Sequence, residues 1–247
     1  MPLFATDRDS QLGHFEDVDR RHYRWQTDGG YFSQTERELL AAAELPADGR
    51  LLEIGCGEGG NLYHLGTRPG WVGLDFAHRK LVHAHSEMPA LSFVCGDAAA
   101  LPFRDASFDT VLIRDVLHHV PHRQAVVAEA ARVVAPGGAV AVIEPNRNNP
   151  LIVAQAIAVK AERAVLRSTA SRLRGELQAA GFDEVRVRHA QPLPLARALL
   201  HPRLGMARYG HRPGVARWLR AADTLARRLV HPAAWMYLVG RGRKPRG

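Results

Sequence analysis

From residue 50 onward, short apolar runs alternate with stretches of helical spacing, and this rhythm constrains the fold more than any other feature. The runs are residues 51–54 (LLEI), 71–75 (WVGLD), 91–95 (LSFVC), 108–114 (FDTVLIR) and 139–144 (AVAVIE). They are short and apolar on both faces, as strands buried from both sides must be. Residues 58–65, 77–86 and 123–134 between them carry helical spacing, the last stopping at Pro136-Gly137-Gly138, a breaker and turn. Strands joined by helices through right-handed crossovers form a doubly wound parallel sheet covered on both faces, an α/β fold.

The rhythm changes after residue 144. Residues 146–168 read as an apolar helical insertion. Residues 171–180 resume the core as a helix closed by Gly181, and 182–189 (FDEVRVRH) alternate like a less buried strand. Residues 190–233 form a second insertion, rich in Pro, His and Arg. Residues 234–240 (AWMYLVG) are a last strand, and the basic tail from Arg241 is expected to fray. No apolar stretch is long enough to span a bilayer, and the polar, acidic N-terminus lacks a signal core. With only Cys56 and Cys95 a disulfide framework is excluded, which suits a cytoplasmic location.

Charge is divided along the chain. Residues 1–150 hold 14 Lys/Arg and 20 Asp/Glu, a balance of −6, whereas residues 151–247 hold 19 and 5, a balance of +14. Such a basic half admits nucleic acid, an anionic membrane or an acidic substrate as partner. All but three of the bases are arginine (the lysines are Lys80, Lys160 and Lys244), which fits a compositional bias as well as a binding face.

The chemistry concentrates in Leu51-Leu52-Glu53-Ile54-Gly55-Cys56-Gly57-Glu58-Gly59-Gly60. A glycine-rich turn lets backbone approach a ligand, and the following helix N-terminus offers free N–H groups. Asp75 ends the second strand, 20 residues after Gly55, placed for ribose hydroxyls, and Asp97 ends the third. Gly55, Gly57 and Gly60 also satisfy the dinucleotide spacing. Glu53 argues against it, since a carboxylate repels pyrophosphate and suits an ammonium.

In series, LLEIGCGEGG, GLD, GDAAALPFRDASFDTVL, VLHHV and RVVAPGGAVAVIEP resemble the motifs of class I S-adenosylmethionine-dependent methyltransferases, especially the ubiquinone/menaquinone-biosynthesis-like subgroup, methyltransferase type 11. The resemblance runs from about residue 50 to 144. It implies a Rossmann-like, mainly parallel sheet of seven strands, the last antiparallel, with helical insertions. Residues 1–49 would be a helical lid and acceptor region. Residues 50–247 would be the cofactor-binding domain, with insertions at about 146–168 and 190–233. S-adenosylmethionine is the implied cofactor. Gly55, Gly57 and Gly59 would cradle its methionine part, Glu53 its ammonium, Asp75 the ribose and Phe76 the adenine face. Asp97 and the Ala98 N–H would meet the adenine amine, and the Arg114 carbonyl the ammonium.

Methyl transfer needs alignment and often one base. His119, and less so His118, in Asp115-Val116-Leu117-His118-His119 are the candidates. Ubiquinone-type relatives resemble this region with an acid-x-x-Glu-His cluster that can hold a cation. Here one carboxylate has become imidazole, which disfavours a hard cation, and no metal is expected.

Acceptor binding should fall to three segments outside the cofactor core: residues 14–31 as an aromatic lid, residues 144–150 with the helix behind them, and the insertion at 190–233. In the last, Val215, Trp218, Leu219, Ala222, Leu225, Ala226 and Leu229 share one helical face, with arginines opposite. A lid helix is favoured over membrane-surface contact, although peripheral contact stays open. An apolar, aromatic vestibule would suit a small-molecule or lipid-like acceptor, methylated on a hydroxyl, amine or carbon. An RNA or protein methyltransferase is the alternative. It is disfavoured because residues 113–116 (IRDV) lack the Asn/Asp-Pro-Pro-aromatic grip and no RNA-binding module is present. A non-enzymatic S-adenosylmethionine-binding protein is the third reading. Oligomeric state is left open.

Overall fold

The computed structural model describes residues 17–46, 48–193 and 195–246. Its core is one seven-stranded sheet. The strands are β1 (Leu51–Ile54), β2 (Val72–Asp75), β3 (Ser92–Cys95), β4 (Phe108–Arg114), β5 (Val134–Pro145), β6 (Asp183–Ala190) and β7 (Tyr237–Arg243). They lie in the order β3-β2-β1-β4-β5-β7-β6. β7 runs antiparallel to both neighbours, and the remaining pairs are parallel. Chain order reverses between β1 and β4, and at such a switch point the loops leaving the two strands diverge and open a crevice.

The helices are α1 (Arg20–Thr27), α2 (Tyr31–Ala41), α3 (Gly60–Leu65), α4 (His78–Glu87), α5 (Arg123–Val133), α6 (Pro150–Ala158), α7 (Ala170–Ala179), α8 (Leu195–Leu199) and α9 (Pro213–Leu229). Two apolar layers flank the sheet. Leu52, Ile54, Val111, Ile113 and Val142 meet Val126, Val127 and Leu173 of α5 and α7 on one side. Leu112, Ile143 and Val239 meet Leu39 and Leu40 of α2 on the other. The period-2 alternation of each strand thus feeds both layers.

Three sequence expectations need correction. Pro136-Gly137-Gly138 is not a turn between helix and strand but lies inside β5, which starts at Val134. Pairing resumes after a bulge, with Val134 opposite Phe108 and Ala139 opposite Thr110. Residues 241–243 do not fray, because Arg241 and Arg243 pair with β5 on one side and β6 on the other. The Lys244 ammonium then donates to the carbonyls of Ala131 and Val134, each at 2.7 Å, closing the C-terminal end of α5. The third concerns α9, whose apolar residues divide between two faces. Ala216, Leu219 and Ala226 are buried, whereas Trp218, Leu225 and Leu229 stay 58%, 56% and 74% exposed. The outer strand β6 is half-exposed and carries Arg186 and Arg188, as expected of an edge.

Candidate functional site

At the carboxyl end of β1 the chain turns through Gly55, Gly57 and Gly59 in the left-handed region, at φ 74°, 52° and 83°. A Cβ at Gly55 would collide with Val116, so glycine is required there on two counts. At Gly57 a Cβ would meet nothing within 4 Å. The loop therefore packs tightly against the protein at Gly55 and stays open at Gly57.

Glu53 is fully buried beneath this loop. Its Oε1 accepts from Asn61 Nδ2 at 2.5 Å, and its Oε2 has no hydrogen-bond partner among the described residues. Burial, the largest cause, pushes its pKa up from 4.5 to about 8. A buried carboxylate with one unsatisfied oxygen is expensive unless a donor arrives. An incoming ammonium beside the open glycine turn would be such a donor, so the residues present fit the methionine end of S-adenosylmethionine.

Asp75 Oδ2 accepts from Gly57 N at 2.9 Å and Oδ1 from Ala77 N at 2.8 Å. The side chain thus ties the end of β2 to the glycine loop, and burial raises its pKa. Each oxygen retains a further lone pair for a hydroxyl. Phe76 beside it is 43% exposed, a free aromatic face. Asp97 is exposed and forms a turn, its Oδ1 accepting from Ala99 N at 2.8 Å. Ala98 lies half-buried next to it. α1 covers the outside of the loop: Asp19 N donates to Glu58 Oε1 at 3.1 Å, and the side-chain oxygen of Gln26 lies against Gly60. Of the expected lid, residues 14–16 fall outside the described residues. Trp25 and Phe32 stack with each other at 3.6 Å and are buried against α8 and α9.

Arg114 does more than its backbone position suggested. Its buried guanidinium donates to Asn61 Oδ1 at 2.7 Å and to Glu36 Oε2 at 2.5 Å, and Asp115 lies 3.5 Å from its Nε. Glu53, Asn61, Arg114 and Glu36 form one chain of polar contacts from β1 to α2. Two opposed charges in this interior hold each other ionised: burial would raise the Glu36 pKa, and Arg114 outweighs it.

Past the end of β4, Asp115 adopts φ 54°, an uncommon conformation for a non-glycine residue. Next comes a cavity of about 150 Å³ lined by Asp115, His118, His119, Glu162, Arg197 and Tyr237, with Ile152, Val165 and others. It is more polar than the apolar vestibule expected from sequence. His118 is buried and held by Glu144, whose Oε2 lies 2.9 Å from His118 Nδ1. Glu144 Oε1 accepts the N–H groups of Val116 and Leu117 at 3.0 and 2.8 Å. The other ring nitrogen, Nε2, lies 3.7 Å from Glu162 Oε2. Burial lowers the His118 pKa, but Glu144 and the other acids outweigh it and the net shift is upward. His119 is half-exposed, its ring 3.8 Å from that of His118. His118, His119 and Glu162 bring atoms of metal-ligand type within 4.8 Å of one another. Glu162 stands outside the Asp115-Val116-Leu117-His118-His119 motif and reaches this cluster from the insertion at 146–168.

Sequence reading missed Glu36, Asn61, Glu162 and Arg197, and placed Glu144 in an acceptor segment without its hold on His118. Asn61 and Glu144 stand inside or beside the quoted motifs, but their partners lie 8 and 26 residues away. Glu36, Glu162 and Arg197 come from segments without a motif.

Residues 52–142 match a family model described as a methyltransferase domain. A phthiotriol/phenolphthiotriol dimycocerosates methyltransferase of Mycobacterium ulcerans is 44% identical over 95 residues, 36% of this chain and 35% of that protein. A phosphatidylethanolamine N-methyltransferase of Cereibacter sphaeroides is 33% identical over 135 residues, 51% of this chain and 66% of that protein. The chain spans 35–40% of the length of the first curated relatives it matches. The fold is shared with phosphoethanolamine N-methyltransferase 2 of Haemonchus contortus, solved with S-adenosyl-L-methionine. Its TM-score is 0.67 at 18% identity, covering 95% of this chain and 60% of that one.

Proposed function

We propose that the chain is a class I S-adenosylmethionine-dependent methyltransferase built on the methyltransferase domain matched at residues 52–142, and that it methylates a hydroxyl or amine of a small-molecule or lipid-like acceptor. The observation that carries the cofactor reading is the unsatisfied Glu53 Oε2 beneath an open glycine turn at the switch point of the sheet. Glu53 would hold the ammonium, Gly57 and Gly59 would lie along the methionine part, and Asp75 would take the ribose hydroxyls. Phe76, Asp97 and Ala98 would flank the adenine. The cofactor, when bound, supplies a methyl group on a sulfonium leaving group.

What remains for the chain is to orient the acceptor and move one proton. The polar cavity beyond β4 supports a heteroatom nucleophile over carbon, because it is lined by acids, imidazoles and Arg197. His118 is the better-held base: Glu144 fixes Nδ1 and turns Nε2 toward Glu162, an arrangement that orients and steadies an imidazole. His119 borders the same cavity and would act as a neighbour. The relatives' names support a lipid-like or small-molecule acceptor, since two of them are methyltransferases of phthiotriol dimycocerosates and phosphatidylethanolamine.

Calorimetry with S-adenosylmethionine and with NADH tests the cofactor. Binding of the first and not the second is expected, and the reverse would overturn the reading. Transfer of labelled methyl to lipid and small-molecule fractions then tests the activity.

A further inference from the structure

α9 offers apolar side chains on two sides, and only one of them is used. Ala216, Leu219 and Ala226 pack inward, near the Trp25–Phe32 stack of α1 and α2. Trp218, Leu225 and Leu229 follow one another at spacings of seven and four, which sets them within roughly 40° around the helix axis. All three are more than half exposed. This stripe belongs to no described cluster and covers about three turns.

The charges around the stripe are one-sided. Arg217 and Arg228 flank it, both exposed and, among the described residues, without an ion pair. The inward arginines are engaged instead: Arg220 donates to Gln34 at 2.8 Å, and Arg227 pairs with Asp223 at 2.8 Å. Asp223 is the lone acidic residue after residue 200. A second copy docking here in a two-fold arrangement would bring like charges together with no acid to offset them. An anionic surface complements this face. Position agrees: α9 returns the chain to β7 at Tyr237, which pairs with Pro145, and both residues line the acceptor cavity.

We propose that the outer face of α9 docks on an anionic phospholipid bilayer, with Trp218, Leu225 and Leu229 entering the interface and Arg217 and Arg228 meeting lipid phosphates. A basic helix with an aromatic and aliphatic outer face binds in the plane of a membrane by this combination. Docked so, the chain would meet a lipid-like acceptor where such a molecule resides. This purpose rests on the lipid-like reading of the acceptor; the docking itself does not.

The test is co-sedimentation of the full chain with vesicles of phosphatidylcholine alone, or of phosphatidylcholine and phosphatidylglycerol at about two to one. Partition onto the anionic vesicles is expected, falling with salt. Joint replacement of Trp218→Ser, Leu225→Ser and Leu229→Ser should reduce it on the order of a hundredfold. Arg217→Gln and Arg228→Gln should each reduce it about fivefold. S-adenosylmethionine affinity, measured by calorimetry, should not change in any of them, which separates a failed docking surface from a failed enzyme reading. No partition by the wild type, equal partition by the triple variant, or a dimer in light scattering that the triple variant dissociates would each overturn the proposal.

Discussion

Glu53 concentrates the cofactor argument in one carboxyl group. Its folded pKa of about 8 lies above the ordinary 4.5 because it is buried and half-satisfied. A raised acid pKa means the folded state holds the proton more tightly. The cofactor-free protein therefore loses stability as pH rises from about 4.5 through about 8, while the carboxylate ionises without a partner. Glu53→Gln should flatten that decline in denaturant titrations between pH 6 and 9. It should also weaken S-adenosylmethionine binding about 10- to 100-fold, the loss of one charged hydrogen bond. Parallel stability curves for the two proteins would show that Glu53 is already ionised and satisfied. His118 gives a second residue-scale prediction. Its pKa is raised, so the neutral imidazole needed as base accumulates above pH 6.5. Turnover should climb with pH through that raised value, and His118→Gln should lose both the limb and roughly 100-fold or more in rate. A pH profile kept intact in the variant would move the base role elsewhere. The strand-end acids and glycines were legible because position on the strand assigns each a place at the crevice. The partner of each was not legible, since Asn61, Glu144 and Glu162 acquire their roles from the packing of distant segments.

Among the elements, α2 carries the least expected role. A charged side chain ordinarily seeks solvent, yet Glu36 shares a helical face with Phe32, Leu39 and Leu40, is 1% exposed and is bonded to Arg114. Helix α2 packs against β4 and β5 through Leu39 and Leu40, which leaves no room for an exposed Glu36. Glu36→Ala would strand the Arg114 guanidinium in the interior, at a cost of about 3–5 kcal/mol. Chemical denaturation of the variant measures it directly; a loss below about 1 kcal/mol would mean that solvent reaches Arg114. The same logic explains the misread C-terminus. RGRKPRG is locally a frayed basic tail, but β5 and β6 leave a gap that its first residues fill. Likewise Pro136-Gly137-Gly138 is locally a turn, and the sheet absorbs it as a bulge. Local propensity identified the middles of elements well and failed where a long-range strand partner decides the ends.

Over the whole molecule, the charge division separates two tasks. The acidic half contributes Glu53, Asp75 and Asp97 around the crevice, while the basic half supplies α9 and the strands that complete the sheet. Several of its arginines pair with acids within the fold: Arg172 meets Glu176, and Arg188 and Arg241 meet Glu44. These pairs leave the formal charge of +8 unchanged, and α9 contributes Arg217 and Arg228 to its exposed part. Cofactor binding engages the other task and should register in global stability. The glycine loop, Asn61 and Arg114 link β1, α3, β4 and α2, so a ligand that satisfies Glu53 stabilises all four at once. At a ligand concentration of about 100 times Kd, linkage adds about 2.7 kcal/mol. In a chain of this size that raises Tm by roughly 5–10 °C. S-adenosylmethionine and S-adenosylhomocysteine should both produce the shift in thermal melts, whereas Asp75→Ala, which also releases the Gly57 and Ala77 N–H groups, should abolish it. A comparable rise with NADH, or an undiminished rise in Asp75→Ala, would place the ligand away from the glycine loop and remove the basis for assigning the crevice to a methyl donor.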